Sequence, residues 1–256
     1  MQTTPLSQEQ ITRYSRQILL KEIGGNGQIR LGKTTVFILG AGGLGSPIAF
    51  YLAAAGVGHL IIADGDRVER SNLQRQILHT TSRIGTFKAD SAAETLRALN
   101  PATQITSINE KITAESIHAI TNACDLVVDA SDNFTTRYLL NQACLEAKKT
   151  LVSGAVLGFE GQVATFRHGV DPNAPCYQCL YPRMGSEEGL PTCATAGVLG
   201  AVAGMVGTIQ ATEVIKEILG IGTSMAGFVL LINLLDGVFH RVQIQKDPAC
   251  PICSPA

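Results

Sequence analysis

Residues 40–45 read Gly-Ala-Gly-Gly-Leu-Gly, and their flanks constrain this 256-residue chain more than any other feature. Before them, 34–39 (Thr-Thr-Val-Phe-Ile-Leu) is a short apolar run, as in a strand buried on both faces. After them, 43–55 has helical character. Gly40, Gly42 and Gly45 match the G-x-G-x-x-G turn, with Gly43 beside them. Such a turn is tight, lets backbone N–H groups approach a phosphate, and points a helix N-terminus at negative charge. Asp64 ends a second apolar run (59–63), 19 residues after Gly45, where a ribose-binding carboxylate is expected. The turn predicts a nucleotide site without separating ATP from a dinucleotide. The plainer alternative is that the glycines serve only helix–sheet packing.

The rest of the pattern alternates. Helical stretches at 86–99, 114–122 and 135–147 separate strands at 104–108, 125–130 and 150–152, which implies a parallel sheet with right-handed crossovers. Beyond residue 152 the runs 161–166, 228–233 and 238–244 read as antiparallel strands, with a loop at 170–195 and a small-residue helix at 196–219 between them. The expected fold is α/β, a Rossmann-like, mostly parallel sheet with helices on both faces, extended by antiparallel C-terminal strands. It forms one domain over 1–256 with an N-terminal helical arm at 8–32.

Hydrophobic residues make up 45% and charged residues 16%, below the roughly 25% charged fraction of globular domains. That suggests a covered surface and an oligomer. A net charge of -1 argues against nucleic acid. The apolar stretch 196–209 falls short of the ~20 residues of a bilayer span, and residues 1–10 carry no secretory pattern. A soluble, cytoplasmic protein is expected, with no membrane partner.

After Asp64 comes a run rich in cationic and amide donors: Asp66, Arg67, Arg70, Ser71, Asn72, Leu73, Gln74, Arg75 and Gln76. A hydride-transfer site has little use for them, whereas a triphosphate accumulates charge on its leaving pyrophosphate. Lys88 opens the next helix with another cation. Asp132 and Asn133 follow the fourth strand at its carboxyl end, where ligands bind in open α/β sheets, and a carboxylate there suits Mg²⁺. Any one of these charges alone reads as a solvated side chain, but their gathering at strand ends points to function.

Seven cysteines are present. Cys176-x-x-Cys179 and Cys250-x-x-Cys253 are two knuckle-type pairs, 70 residues apart, and four thiolates suit tetrahedral Zn²⁺ in a closed structural site. Two disulfides are the rival in a reducing compartment. Cys193 precedes the small-residue helix, where a thiol can become a nucleophile; an ordinary loop cysteine is the alternative. Cys124 and Cys144 read as small core residues, and the five histidines show no ligand spacing.

Together, the 13–17 segment (Arg-Tyr-Ser-Arg-Gln), the glycine turn, 71–76 (Ser-Asn-Leu-Gln-Arg-Gln), Asp132-Asn133 and the paired cysteines resemble the ubiquitin-activating-enzyme-like adenylyltransferases of the ThiF/MoeB/HesA family. The resemblance implies ATP-dependent adenylation of the C-terminal glycine of a ubiquitin-like sulfur carrier, with pyrophosphate released. It implies that the glycines hold the phosphates and Asp64 the ribose, that Asn72, Arg75 and Lys88 stabilise the triphosphate, and that Asp132 holds Mg²⁺. It further implies a homodimer in which Arg16 reaches the partner's site, and it places at Cys193 the residue linked to the carrier through sulfur in ThiF-like members.

Residues 13–20, 176–182 and 207–210 resemble ThiF more than MoeB, favouring thiamine (thiazole) over molybdopterin synthesis; 160–162 (Glu-Gly-Gln) leans towards MoeB. The chain ends three residues after Cys253, which implies no appended rhodanese-type domain and sulfur delivered by a separate protein. An NAD-dependent oxidoreductase explains the glycines and Asp64 alone. A non-catalytic carrier-docking scaffold would be expected to lack one of Arg16, Asn72, Arg75, Lys88 or Asp132. Gly185, Glu187, Glu188 and Gly189 predict mobility over 183–195.

Overall fold

The computed structural model describes residues 5–183 and 196–254. Eight strands form one sheet in the order β3-β2-β1-β4-β5-β6-β7-β8. β1 (Thr35–Leu39), β2 (His59–Ala63), β3 (Gln104–Ile108), β4 (Leu126–Asp129) and β5 (Thr150–Leu157) run parallel. From β5 onward β6 (Glu160–Phe166), β7 (Phe228–Asn233) and β8 (Val238–Gln243) pair antiparallel.

Because successive strand side chains point to opposite faces, the apolar runs divide between two cores. Val36, Ile38, Leu60, Ile62, Val128 and Val152 face α3 (Gly45–Ala54), α4 (Lys88–Leu99) and α8 (Gly200–Leu219). Phe37, Leu39, Ile61, Val127, Leu151 and Phe166 face α5 (Ala114–Asn122), α6 (Phe134–Glu146) and the single turn α7 (Tyr177–Leu180). Cys124 and Cys144 lie in this second core. Such runs give strands buried on both sides and a three-layer α/β/α sandwich.

The N-terminal segment forms α1 (Gln8–Ile18), opened by a Ser7–Gln10 capping box, and α2 (Gly24–Leu31). Tyr14 is the buried residue of α1, and its hydroxyl accepts from Asn100 Nδ2 at 2.9 Å.

Two elements differ from their sequence reading. β5 continues to Leu157, because residues 153–157 pair with β6 even though Ser153 and Gly154 interrupt the apolar run. A Cβ at Gly154 would lie 2.3 Å from Gln210 Oε1, so glycine lets α8 approach the strand. The stretch read as loop at 170–195 contains α7. No helix among the described residues is long and apolar enough to cross a membrane.

Candidate active site

A cavity of about 860 Å³ opens at the carboxyl ends of β1, β2 and β4 and extends under the antiparallel strands. Its lining includes Gly40, Gly42, Gly43, Asp64, Asp66, Arg75, Lys88, Asp132 and Asn133. Gly45, Ser71, Asn72, Leu73 and Gln74 lie outside the lining.

The glycines divide into two kinds. Gly40 adopts φ +104°, and a Cβ there would fall 2.6 Å from the Ala130 carbonyl oxygen. A Cβ at Gly45 would fall 1.9 Å from the Gly40 carbonyl oxygen, so Gly45 lets α3 start against the strand. Gly42 and Gly43 are instead crowded by side chains and not by backbone: the nearest atoms to an added Cβ are those of Gln76 at Gly42 (3.5 Å) and of Ala203 (3.3 Å) and Arg75 (3.5 Å) at Gly43. Among the described residues, the N–H groups of Gly42, Gly43 and Leu44 donate to no protein acceptor, and α3 has no side-chain cap. Uncapped N–H groups at a helix start form an anion cradle.

Asp64 braces this turn. Its carboxylate accepts from Ala41 N and Asp66 N, each at 2.9 Å. From below, His79 bridges the Ala41 carbonyl (2.8 Å) and Ser91 Oγ (2.9 Å), and burial pushes its pKa down. Two cations face the turn. The Arg75 stem lies along Gly43 and its guanidinium donates to the Ser71 carbonyl at 3.1 Å. Lys88, 7% exposed, pairs with Asp66 at 2.9 Å. Asn72 turns inward, its Oδ1 accepting from Glu69 N at 3.2 Å to close the short helical turn Arg70–Asn72, and its carbonyl accepts from Arg75 N at 3.1 Å in the turn that follows.

Across the cavity Asp132 is exposed, and Asn133 Nδ2 donates to its carboxylate at 3.4 Å. Its carboxylate is therefore open to a cation and a phosphate, which fits Mg²⁺. Asn133 caps α6 by accepting from Thr136 N at 2.9 Å.

Beneath this turn lies a pair that the sequence reading passed over. Asp129 is fully buried and accepts from Ser131 N (2.9 Å), Ser131 Oγ (2.6 Å) and Ser153 Oγ (2.6 Å). Arg137, 7% exposed and part of the cavity lining, has Nε 3.6 Å from Asp129 and donates to the Ser131 carbonyl at 2.8 Å. Burial is the largest effect and works against the Arg137 charge, but the Asp129 carboxylate together with Tyr177 and Tyr181 outweighs it, so the pKa rises. The only sequence signal was an acid ending a strand and an arginine one turn into the next helix.

The two cysteine pairs meet. All four Sγ atoms lie within 4.8 Å of one another, with Cys176–Cys179 at 4.0 Å, Cys176–Cys250 at 3.7 Å and Cys179–Cys253 at 3.4 Å. Tetrahedral zinc with bonds near 2.3 Å needs edges of about 3.8 Å, so the donor set fits the ion. The four are free thiols, not disulfides. Burial pushes the Cys176 thiol up, and that of Cys253 up to about 11; a cation reverses that balance. Arg16 is exposed on α1 and does not line its own chain's cavity. Cys193 and residues 184–195 lie outside the described residues.

The model of the ThiF family matches residues 14–252. The chain is 45% identical over 251 residues to the SAMP-activating enzyme E1 of Haloferax volcanii, covering 98% of this chain and 92% of that one. It is 44% identical over 249 residues to the sulfur carrier protein adenylyltransferase of Thermus thermophilus, covering 96% and 92%. Against the adenylyltransferase and sulfurtransferase MOCS3 of Sus scrofa it is 45% identical over 249 residues, covering 97% of this chain but 54% of that one. Among solved structures, E. coli MccB with MccA-N7isoASN superposes with a TM-score of 0.82 at 22% identity, over 94% of this chain and 74% of that one. This last is a likeness of fold.

Proposed function

The chain belongs to the ThiF family of adenylyltransferases, and on that premise we propose that it uses ATP to adenylate the C-terminal glycine of a small ubiquitin-like sulfur carrier protein, releasing pyrophosphate. The observation that carries this reading is the glycine cradle, whose free N–H groups share one cavity with Arg75, Lys88 and Asp132.

A glycine carboxylate is already ionised at neutral pH, so its attack on the α-phosphate needs no general base. The barrier is alignment and the repulsion of like charges. The amides of Gly42 and Gly43 hold the phosphates. Asp64, which keeps lone pairs beyond its two backbone bonds, takes the ribose. Arg75 and Lys88 offset the charge growing on pyrophosphate, while Ser71, Asn72, Leu73 and Gln74 form the turn that aims Arg75. Asp132 would hold Mg²⁺, with Asn133 beside it; the ion supplies neutralisation of the phosphate oxygens.

In this reading Arg16 completes the partner's site in a homodimer, Cys193 forms the sulfur link to the carrier, and a separate protein donates sulfur in the cytoplasm. Zinc is structural, held by Cys176, Cys179, Cys250 and Cys253. The pathway is the thiazole branch of thiamine synthesis. Molybdopterin synthesis is the second reading, favoured by Glu160, Gly161 and Gln162, all of which line the cavity.

ATP–pyrophosphate exchange with a thiamine-type and a molybdopterin-type carrier tests both levels. Exchange is expected with the thiamine-type carrier; exchange with the other alone overturns the pathway, and exchange with neither overturns the adenylation.

A further inference from the structure

Residues 176–181 line none of the cavity but pack behind side chains that do. Tyr177 lies between Cys176 and Cys179, is 2% exposed, and donates its N–H to Asn141 Oδ1 on α6 at 2.9 Å. Its ring meets Tyr138 and Phe166 edge-on, each at 5.6 Å, and Tyr181 at 5.1 Å. Tyr181 packs against Phe134 at 6.1 Å and donates its hydroxyl to Gln162, and Tyr138 donates to the Tyr181 carbonyl at 3.1 Å. The Arg137 guanidinium lies 5.5 Å from the Phe134 ring and holds Asp129 and the Ser131 carbonyl, while the buried Tyr177 hydroxyl makes no hydrogen bond among the described residues. Phe134, Arg137 and Gln162 all line the cavity.

α7 has four residues. One helical turn has no stability of its own, so its geometry depends on what fixes its ends. Cys176 caps it and Cys179 lies inside it.

We propose that the four-cysteine centre is a positioning element of the cavity. Tyr177, gripped between two of its cysteines, passes its integrity through Asn141 and the Tyr138 and Phe134 rings of α6 to Arg137 and the turn at 130–137 that carries Asp132 and Asn133. Tyr177 and Arg137 are positioning residues, acting through that turn. The inference rests on the zinc fit and, for the turn's purpose, on the adenylation reading. It differs from a passive tether, which would free the chain end and leave the cavity as it was.

Hydrogen exchange read by mass spectrometry tests it on the protein as isolated, on protein stripped with a chelator under native conditions, and on Tyr177→Leu. Stripping is expected to speed exchange over 130–141 at least tenfold and leave α4 unchanged. Acceleration confined to 176–181 and 247–254, or equal acceleration in α4, overturns the proposal. Tyr177→Leu, which takes away the ring and leaves the backbone N–H, is expected to keep its metal and speed exchange over 130–141 at least threefold; wild-type exchange in that variant removes Tyr177 from the path and overturns this route. Protein isolated without metal overturns the premise. Failure of pyrophosphate exchange strikes the adenylation reading and leaves these rates untouched, so the two failures separate.

Discussion

At Gly45 an added methyl would sit 1.9 Å from a backbone oxygen, whereas at Gly43 it would meet side chains no closer than 3.3 Å. Gly45→Ala is therefore expected to destabilise the fold by about 2–4 kcal/mol, read from a urea midpoint. Gly43→Ala should keep that midpoint within about 1 kcal/mol while slowing pyrophosphate exchange about 10- to 100-fold; matched effects at both positions would refute the division of labour. His79 carries a pH prediction. Burial lowers its folded pKa, with the Lys88 and Arg83 charges adding to it, so the unfolded chain binds its proton first. Stability is then lost as pH falls below the ordinary histidine value of about 6.5. The drop in melting temperature between about pH 7.5 and 5.5 should be smaller in His79→Gln, and an equal drop would absolve His79. The glycines were legible because turn chemistry is local. Arg137 was not, since a lone arginine on a helix reads as solvated until a buried carboxylate from the preceding strand is seen beside it. His79 escaped for the same reason: its partners, Ala41 and Ser91, lie 38 and 12 residues away.

Helix α8 owes its seat to small residues. A Cβ at Gly207 would meet Pro47 Cγ at 2.5 Å and the Leu44 carbonyl at 2.6 Å, in the first turn of α3 and just before it. Gly207→Ala pushes α8 away from the helix whose N-terminus forms the cradle. It should cost about 1–3 kcal/mol and weaken ATP binding together with stability, as titration calorimetry would show; unchanged affinity would mean that α8 does not shape the cradle. The strands with continuous apolar runs could be read in advance, since burial on both faces leaves that imprint. The second half of β5 could not. Ser153 serves Asp129, and Gly154 makes room for Gln210, whose Nε2 donates to the Asp129 carbonyl at 2.8 Å. Those reasons belong to other elements. A single turn such as α7 is too short to show any period.

For the molecule as a whole, the cysteine centre joins segments 74 residues apart and should contribute stability by mass action. Chelation is expected to lower the wild-type urea midpoint and to leave that of Cys253→Ser, already lowered, unmoved; equal sensitivity would show that Cys253 holds no metal. The parallel direction of the first five strands followed from the alternation of strand and helix, while the order of strands in the sheet and the meeting of the cysteine pairs depended on a topology that spacing could not supply. That topology also sets a timetable. The loop between Cys179 and Cys250 contains α8, β7 and β8, so the second pair reaches the first only after those elements have collapsed onto the sheet. Closing so long a loop slows the event. Metal capture during refolding then has two phases, a fast one at the local pair and a slow one when the tetrad closes. With five tyrosines and no tryptophan in the chain, tyrosine emission can be followed beside a colorimetric zinc probe, and the late phase of zinc uptake times the completion of the sheet.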